Sequence, residues 1–105
     1  MELAFETKPL REVCESEEKA KRELGAKVAK ELRSRLADLQ AATSVEDLPV
    51  GKPRKVGGNC IFDLAGNYRL VVAANHIKNP LLKSGQIDWA RVQRLKLLRI
   101  ERHNA

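Results

Sequence analysis

The sequence predicts an α+β domain in which an N-terminal strand and helices pack on one face of a mostly antiparallel sheet, and three observations predict it. A chain of 105 residues suits one domain over its whole length, 1–105, with no room for a second core. The apolar residues of its first half recur at helical spacing. Those of its second half fall in short β-competent runs bounded by turn signals. The order is therefore strand, helices, then three or four strands, which leaves one face of the sheet free of helices.

Leu3 and Phe5 alternate with Glu2, Ala4 and Glu6, as in a short strand with one buried face. Thr7 offers a helix N-cap, with Pro9 tolerated in the first turn. Leu10, Val13 and Cys14 share one face of that helix. Ser16 followed by Glu17 and Glu18 looks like a fresh cap with acids at the positive end of the next helix, so a break is expected near Ser16. The second helical run extends to about Ala42 and is weakened at its middle by Gly25. Its stripe is Val28, Leu32, Leu36 and Leu39, with Lys27, Lys30, Arg33 and Arg35 opposite. Pro49, Gly51, Pro53, Gly57 and Gly58 then mark a loop, because they bar a long helix or a central strand. Cys60–Leu64, a tight turn at Ala65-Gly66-Asn67, and Tyr68–Ala74 form a hairpin. Asn79-Pro80 and Ser84-Gly85 mark further turns, Asp88 caps a turn through Trp89 to Val92, and Arg94–Ile100 is the last strand.

Composition narrows the function. No apolar run approaches the roughly 20 residues that span a bilayer, and the N-terminal segment has acids in place of a secretory signal's basic and apolar regions. A cytoplasmic protein without membrane contact is expected. Cys14 and Cys60 are isolated thiols with no metal-ligand spacing, suited to packing. The net charge of +6 is unevenly placed. Residues 1–48 carry 9 Lys and Arg against 11 Asp and Glu, while residues 49–105 carry 11 against 3. A basic second half of this kind attracts phosphates or an acidic partner.

Dinucleotide, NTP, ester-hydrolase and zinc-protease motifs are all missing, and three acids in the basic half are too few for a two-metal nuclease. The remaining chemistry is cationic and needs no cofactor or metal. Lys52, Arg54, Lys55, Arg69, Arg99, Arg102, His76 and His103 could cleave RNA, whose own 2′-OH is the nucleophile, by aligning it, moving protons and stabilising the phosphorane. His103 is the better proton carrier, because an imidazole titrates near ~6.5. His76 reads as an exposed turn residue. Strand alternation places Arg69 with Val71 and Ala73 on the free face of the sheet, and puts Arg99, Glu101 and His103 on a common side.

Gly66-Asn67-Tyr68-Arg69-Leu70, followed some thirty residues later by a strand ending in Ile100-Glu101-Arg102-His103, resembles the HigB-type branch of the RelE/ParE toxin superfamily. Phe5, the two-helix stripe and the basic Gly/Pro-rich loop match the same layout, so the resemblance spans nearly the whole chain. It implies a type II toxin, an endoribonuclease that cuts mRNA on the ribosome. Its partner would be a helix-turn-helix, HigA-like antitoxin, with operator DNA reached only through that antitoxin. Arg69 falls on the family's hairpin-strand arginine. Glu101-Arg102-His103 stands where many members have Asp-Tyr-His, and Arg54-Lys55-Val56 where they carry a loop histidine. The implied site is Arg69, His103 and Glu101 for catalysis, with Lys52, Arg54, Lys55, Arg99 and Arg102 binding RNA. A ParE-like toxin acting on gyrase and a non-catalytic RNA-binding module are the alternatives. The second is short of exposed aromatics, since Phe5 and Phe62 are expected in the core.

Overall fold

The computed structural model describes residues 1–48 and 53–102. Strand β1, Glu2–Phe5, leads into α1, Lys8–Glu15, where the Thr7 hydroxyl accepts a hydrogen bond from the Leu10 N–H at 3.2 Å. The expected break lies at Ser16, whose hydroxyl accepts from the Lys19 N–H at 3.2 Å and starts α2, Glu17–Leu24. A hydrogen bond from Lys21, followed by the charges of Lys21 and Arg33, holds the Glu17 carboxyl below its usual range.

Gly25 does more than weaken a helix. Its φ of 88° and ψ of 159° belong to a region open almost only to glycine, so α2 stops there and a third helix, α3, Ala26–Ala41, begins in a new direction. Val28, Leu32, Leu36 and Leu39 of α3 are buried as the stripe predicts. Lys27, Lys30 and Arg33 are exposed, but Arg35 is largely covered, with a guanidinium nitrogen 3.7 Å from Asp38. The Met1 ammonium donates to the carbonyls of Leu39, Gln40 and Ala42 at 3.1, 2.9 and 3.0 Å, tying β1 to the negative end of the α3 dipole.

Four more strands follow: β2, Arg54–Val56; β3, Asn59–Asp63; β4, Tyr68–Ala74; and β5, Arg94–Arg102. The sheet order is β1-β5-β4-β3-β2, with β1 parallel to β5 and every other pair antiparallel. Arg54–Val56 was expected in a loop. It is an edge strand turned onto β3 through Gly57-Gly58, because the prolines and glycines that bar a central strand do not bar an edge. The helices cover one face. Cys60, Phe62, Leu70, Val72, Leu95 and Leu97 meet the α3 stripe in a single core, with Val45 and Trp89 closing it. No helix is long and apolar enough to cross a membrane.

The β4–β5 connection is an ordered lobe. Leu81 bridges Ile87, the Asp88 N–H donates to the Pro80 carbonyl at 2.9 Å, and Leu82 and Gln86 are joined at 2.8 Å. His76 is not a free turn residue. Its Nε2 accepts from the Gln93 N–H at 3.0 Å and pins the lobe to the start of β5. The Asp88 side chain does not cap the turn at Trp89–Arg91 but pairs with Arg91 at 2.7 Å.

The register of β4 against β5 shifts between Val71 and Val72, where Val71 faces Arg99, Val72 faces Leu97, and Leu98 has no partner of its own. Strict alternation would keep Leu95, Leu97, Arg99 and Glu101 on one side. The bulge reverses the phase, so Leu95 and Leu97 enter the core while Arg99 and Glu101 emerge on the opposite face.

Two outcomes test this description. Gly25→Ala would stabilise a continuous helix by about 1 kcal/mol, whereas at the observed dihedrals it costs about 1–3 kcal/mol, a difference in sign that urea denaturation resolves. Burial pushes the thiols of Cys60 and Cys14 up from 9.0 to about 12. Between those values the unfolded chain releases protons that the native chain keeps, so stability falls as pH rises from about 9 towards 12. That slope is shallower in Cys60→Ala.

Candidate functional site

The face away from the helices is built in cross-strand rows. Arg54, Ile61, Val71 and Arg99 form one row, and Asp63, Arg69 and Glu101 the next. Arg69 therefore sits on the side that alternation predicts, with Val71 and Ala73. The face is not simply open, however. Val71 is 1% exposed and Ile61 is also buried, both apart from the main core and flanked in their row by Arg54 and Arg99, whose aliphatic stems can lie over apolar neighbours.

Arg69 donates from Nε to Glu101 at 2.9 Å and its side chain is only 25% exposed. Arg99 reaches the other oxygen of the same carboxylate at 3.5 Å. Two guanidinium groups thus share one acid, as the β4–β5 register demands. Arg54 grips Asp63 with two hydrogen bonds of 3.2 and 2.7 Å, a diagonal pair across β2 and β3. That hydrogen bonding, followed by the Asp63 charge, pushes the Arg54 guanidinium up from its ordinary value. Lys55 lies on the other side of β2 and pairs with Glu46. Arg102 also faces the helix side, with its guanidinium 5.7 Å from the Tyr68 ring centroid. Lys52 and His103 lie outside the described residues.

The structure therefore brings together Arg54, Arg69, Arg99 and Glu101 and sets Lys55 and Arg102 apart from them. It also supplies partners that charge counting missed. Arg94 pairs with Glu2 at 3.0 Å and Lys96 with Glu6 at 3.3 Å. Acids of the first half thus cross over to cations of the second, and the expected segregation of charge is partly cancelled in space. The hairpin turn places Asp63 directly opposite Arg69, yet Asp63 pairs with Arg54 and Arg69 with Glu101, so the hairpin alone does not reveal these partners.

The turn before Arg69 is itself fixed. Gly66 and Asn67 both have positive φ, of 66° and 62°, and the Ala65 N–H donates to the Glu31 carboxylate of α3 at 2.9 Å. Any Cβ on Gly66 would meet Tyr68 and Val28 at 3.5 and 3.6 Å. Helix and hairpin thus set the start of β4 together, and with it the position of Arg69.

The chain matches no family model, no curated protein and no solved structure.

The shared carboxylate makes a definite stability prediction. Arg69→Ala leaves Glu101 with Arg99 alone and costs about 1 kcal/mol, a fall of roughly 4–8 °C in Tm. Adding Glu101→Gln to that variant changes Tm little, because the main coupling is already lost. Additive losses in calorimetry would show that the two side chains act independently.

Proposed function

We propose that this chain is a HigB-type toxin of the RelE/ParE superfamily, an endoribonuclease that cuts mRNA on the ribosome without a metal. The observation that carries the reading is the Arg69–Glu101–Arg99 cluster on the helix-free face, with Arg54 in the same row as Arg99. The layout supports it too, since a β1 edge strand beside the last strand, a four-stranded antiparallel meander and a helical layer fit the resemblance carried by Gly66–Leu70 and Ile100–His103.

Ion pairs made by exposed side chains are worth about 0–1 kcal/mol each, so a phosphodiester can replace the carboxylate on the half-exposed Arg54 and Arg99 at small cost, and Arg69, which is more covered, exchanges with them once Glu101 is displaced. Arg69 and Arg99 then hold the scissile phosphate as planar two-pronged donors, with Arg54 on the flanking backbone. Displaced from both, Glu101 is an acceptor beside the bound RNA. His103 follows it by two residues and supplies an imidazole that can give or take a proton. One of the two removes the proton of the 2′-OH as its oxygen bonds to phosphorus. The bond from phosphorus to the 5′ oxygen breaks, and that oxygen takes a proton from the other group. The products are a 2′,3′-cyclic phosphate and a 5′-hydroxyl end. A HigA-like antitoxin neutralises the protein in the cytoplasm by covering this cationic face.

Primer extension on mRNA from expressing cells should reveal new 5′ ends. Their absence, with gyrase-dependent DNA damage in its place, would favour the ParE-like alternative. Glu101→Gln separates binding from chemistry. It frees two arginines, so RNA binds several-fold tighter, while cleavage falls by about 10²–10⁴ if Glu101 carries the proton. Unchanged cleavage in this variant, with loss in His103→Ala, assigns the proton transfer to His103 alone.

A further inference from the structure

The lobe between β4 and β5 lies at the far end of that strand pair from Arg69 and Glu101, and nothing in the proposed reaction uses it. It is held in shape by the His76 to Gln93 hydrogen bond, the Leu81–Ile87 bridge and the Asp88 to Pro80 bond. An unstructured loop would let its aliphatic side chains fold inward. Here Ile77 is fully exposed, and Leu81 and Leu82 are half-exposed. From Leu64 to Ile87 the sequence has no Asp or Glu. Lys78 and Lys83 stand beside the three aliphatic residues with no Asp or Glu partner among the described residues. A fixed lobe that shows water three large aliphatic side chains and two unpaired cations is an interaction surface by its chemistry.

We infer that this lobe docks a partner protein through an extended segment that alternates acidic with aliphatic residues. Acids on that segment complement Lys78 and Lys83, and its aliphatic groups cover Ile77, Leu81 and Leu82. A second copy of this chain fits poorly, since lobe against lobe sets lysine against lysine and three side chains fall far short of the roughly 800 Å² per partner of a stable dimer. RNA gains little from aliphatic groups, because base stacking needs aromatic faces. A bilayer anchor of this class needs the wide apolar face of an amphipathic helix, which residues 76–88 do not form.

The test is an NMR titration of the full-length, ¹⁵N-labelled protein with a short soluble peptide alternating Glu and Leu. Shifts are expected at amides within 76–88, with affinity falling about tenfold in Ile77→Ser and again in the pair Lys78→Gln with Lys83→Gln. Added salt should weaken binding in the wild type. These side chains are exposed, so the variants keep Tm within the change expected for about 0.5 kcal/mol. The inference is overturned if the peptide leaves those amides unmoved, or if a peptide with Lys in place of Glu binds equally well. Stronger shifts there from an RNA oligonucleotide or from phosphatidylserine vesicles would overturn it as well.

Discussion

The position of one unpaired residue in β5 governs what the sheet can do. β5 lies between β1 and β4, so its first half must supply core to the helices and its second half must supply polar groups to the opposite face. A regular strand cannot do both with residues of one parity. The shift at Leu98 lets Leu95 and Leu97 point inward and Arg99 and Glu101 outward, and it lets Ile100 return to the core. Without it, the acid that meets Arg69 would lie among the leucines. Arg69 owes its partner to that irregularity as much as to its own place in β4.

The charge pattern shows how far linear counting reaches. The second half of the chain is strongly basic, yet β1 comes from the first half and lies against β5. Glu2 and Glu6 therefore stand where Arg94 and Lys96 need them, and Glu46 finds Lys55 in the same way. Parallel pairing of the first strand with the last is the physical route by which an acidic segment neutralises a basic one. The arginines on the helix-free face, Arg54, Arg69 and Arg99, are held in pairs and shared contacts with Asp63 and Glu101. A face of this kind resists indiscriminate attraction to polyanions better than bare arginines would.

Much of the fold was legible because local chemistry decides it. Thr7 and Ser16 are caps with identifiable partners, the α3 stripe has helical period, and Gly66-Asn67 turns a hairpin whose register then follows. Gly25 was legible only as a poor helix residue, since the dihedrals that make it a break depend on how α2 and α3 dock. β2 was hidden because an edge strand needs only one neighbour and tolerates Pro53, Gly57 and Gly58 around it. The bulge in β5 left no mark in composition. At the candidate site, alternation placed Arg69 on the free face and Glu101 on the same side as Arg99, but it could not bring Arg69 and Glu101 together, because that depends on the bulge and on the cross-strand register. His76 was misjudged for a related reason, as its acceptor role rests on Gln93, seventeen positions away.

The edge formed by β1 carries a consequence for the behaviour of the protein at high concentration. The Glu2 N–H donates to the Gln93 carbonyl just before β5 at 3.0 Å and the Glu6 N–H to the Leu97 carbonyl of β5 at 2.8 Å, so the intervening residues Leu3 and Phe5 turn their backbone groups outward. An outward-facing strand with two large apolar residues is a template for fibrillar stacking. Antiparallel self-pairing centred on Ala4 would set Glu2 against Glu6 of the next chain, and parallel in-register stacking would pile each glutamate on its own copy. The same two acids that neutralise β5 thus penalise growth of the sheet into an aggregate.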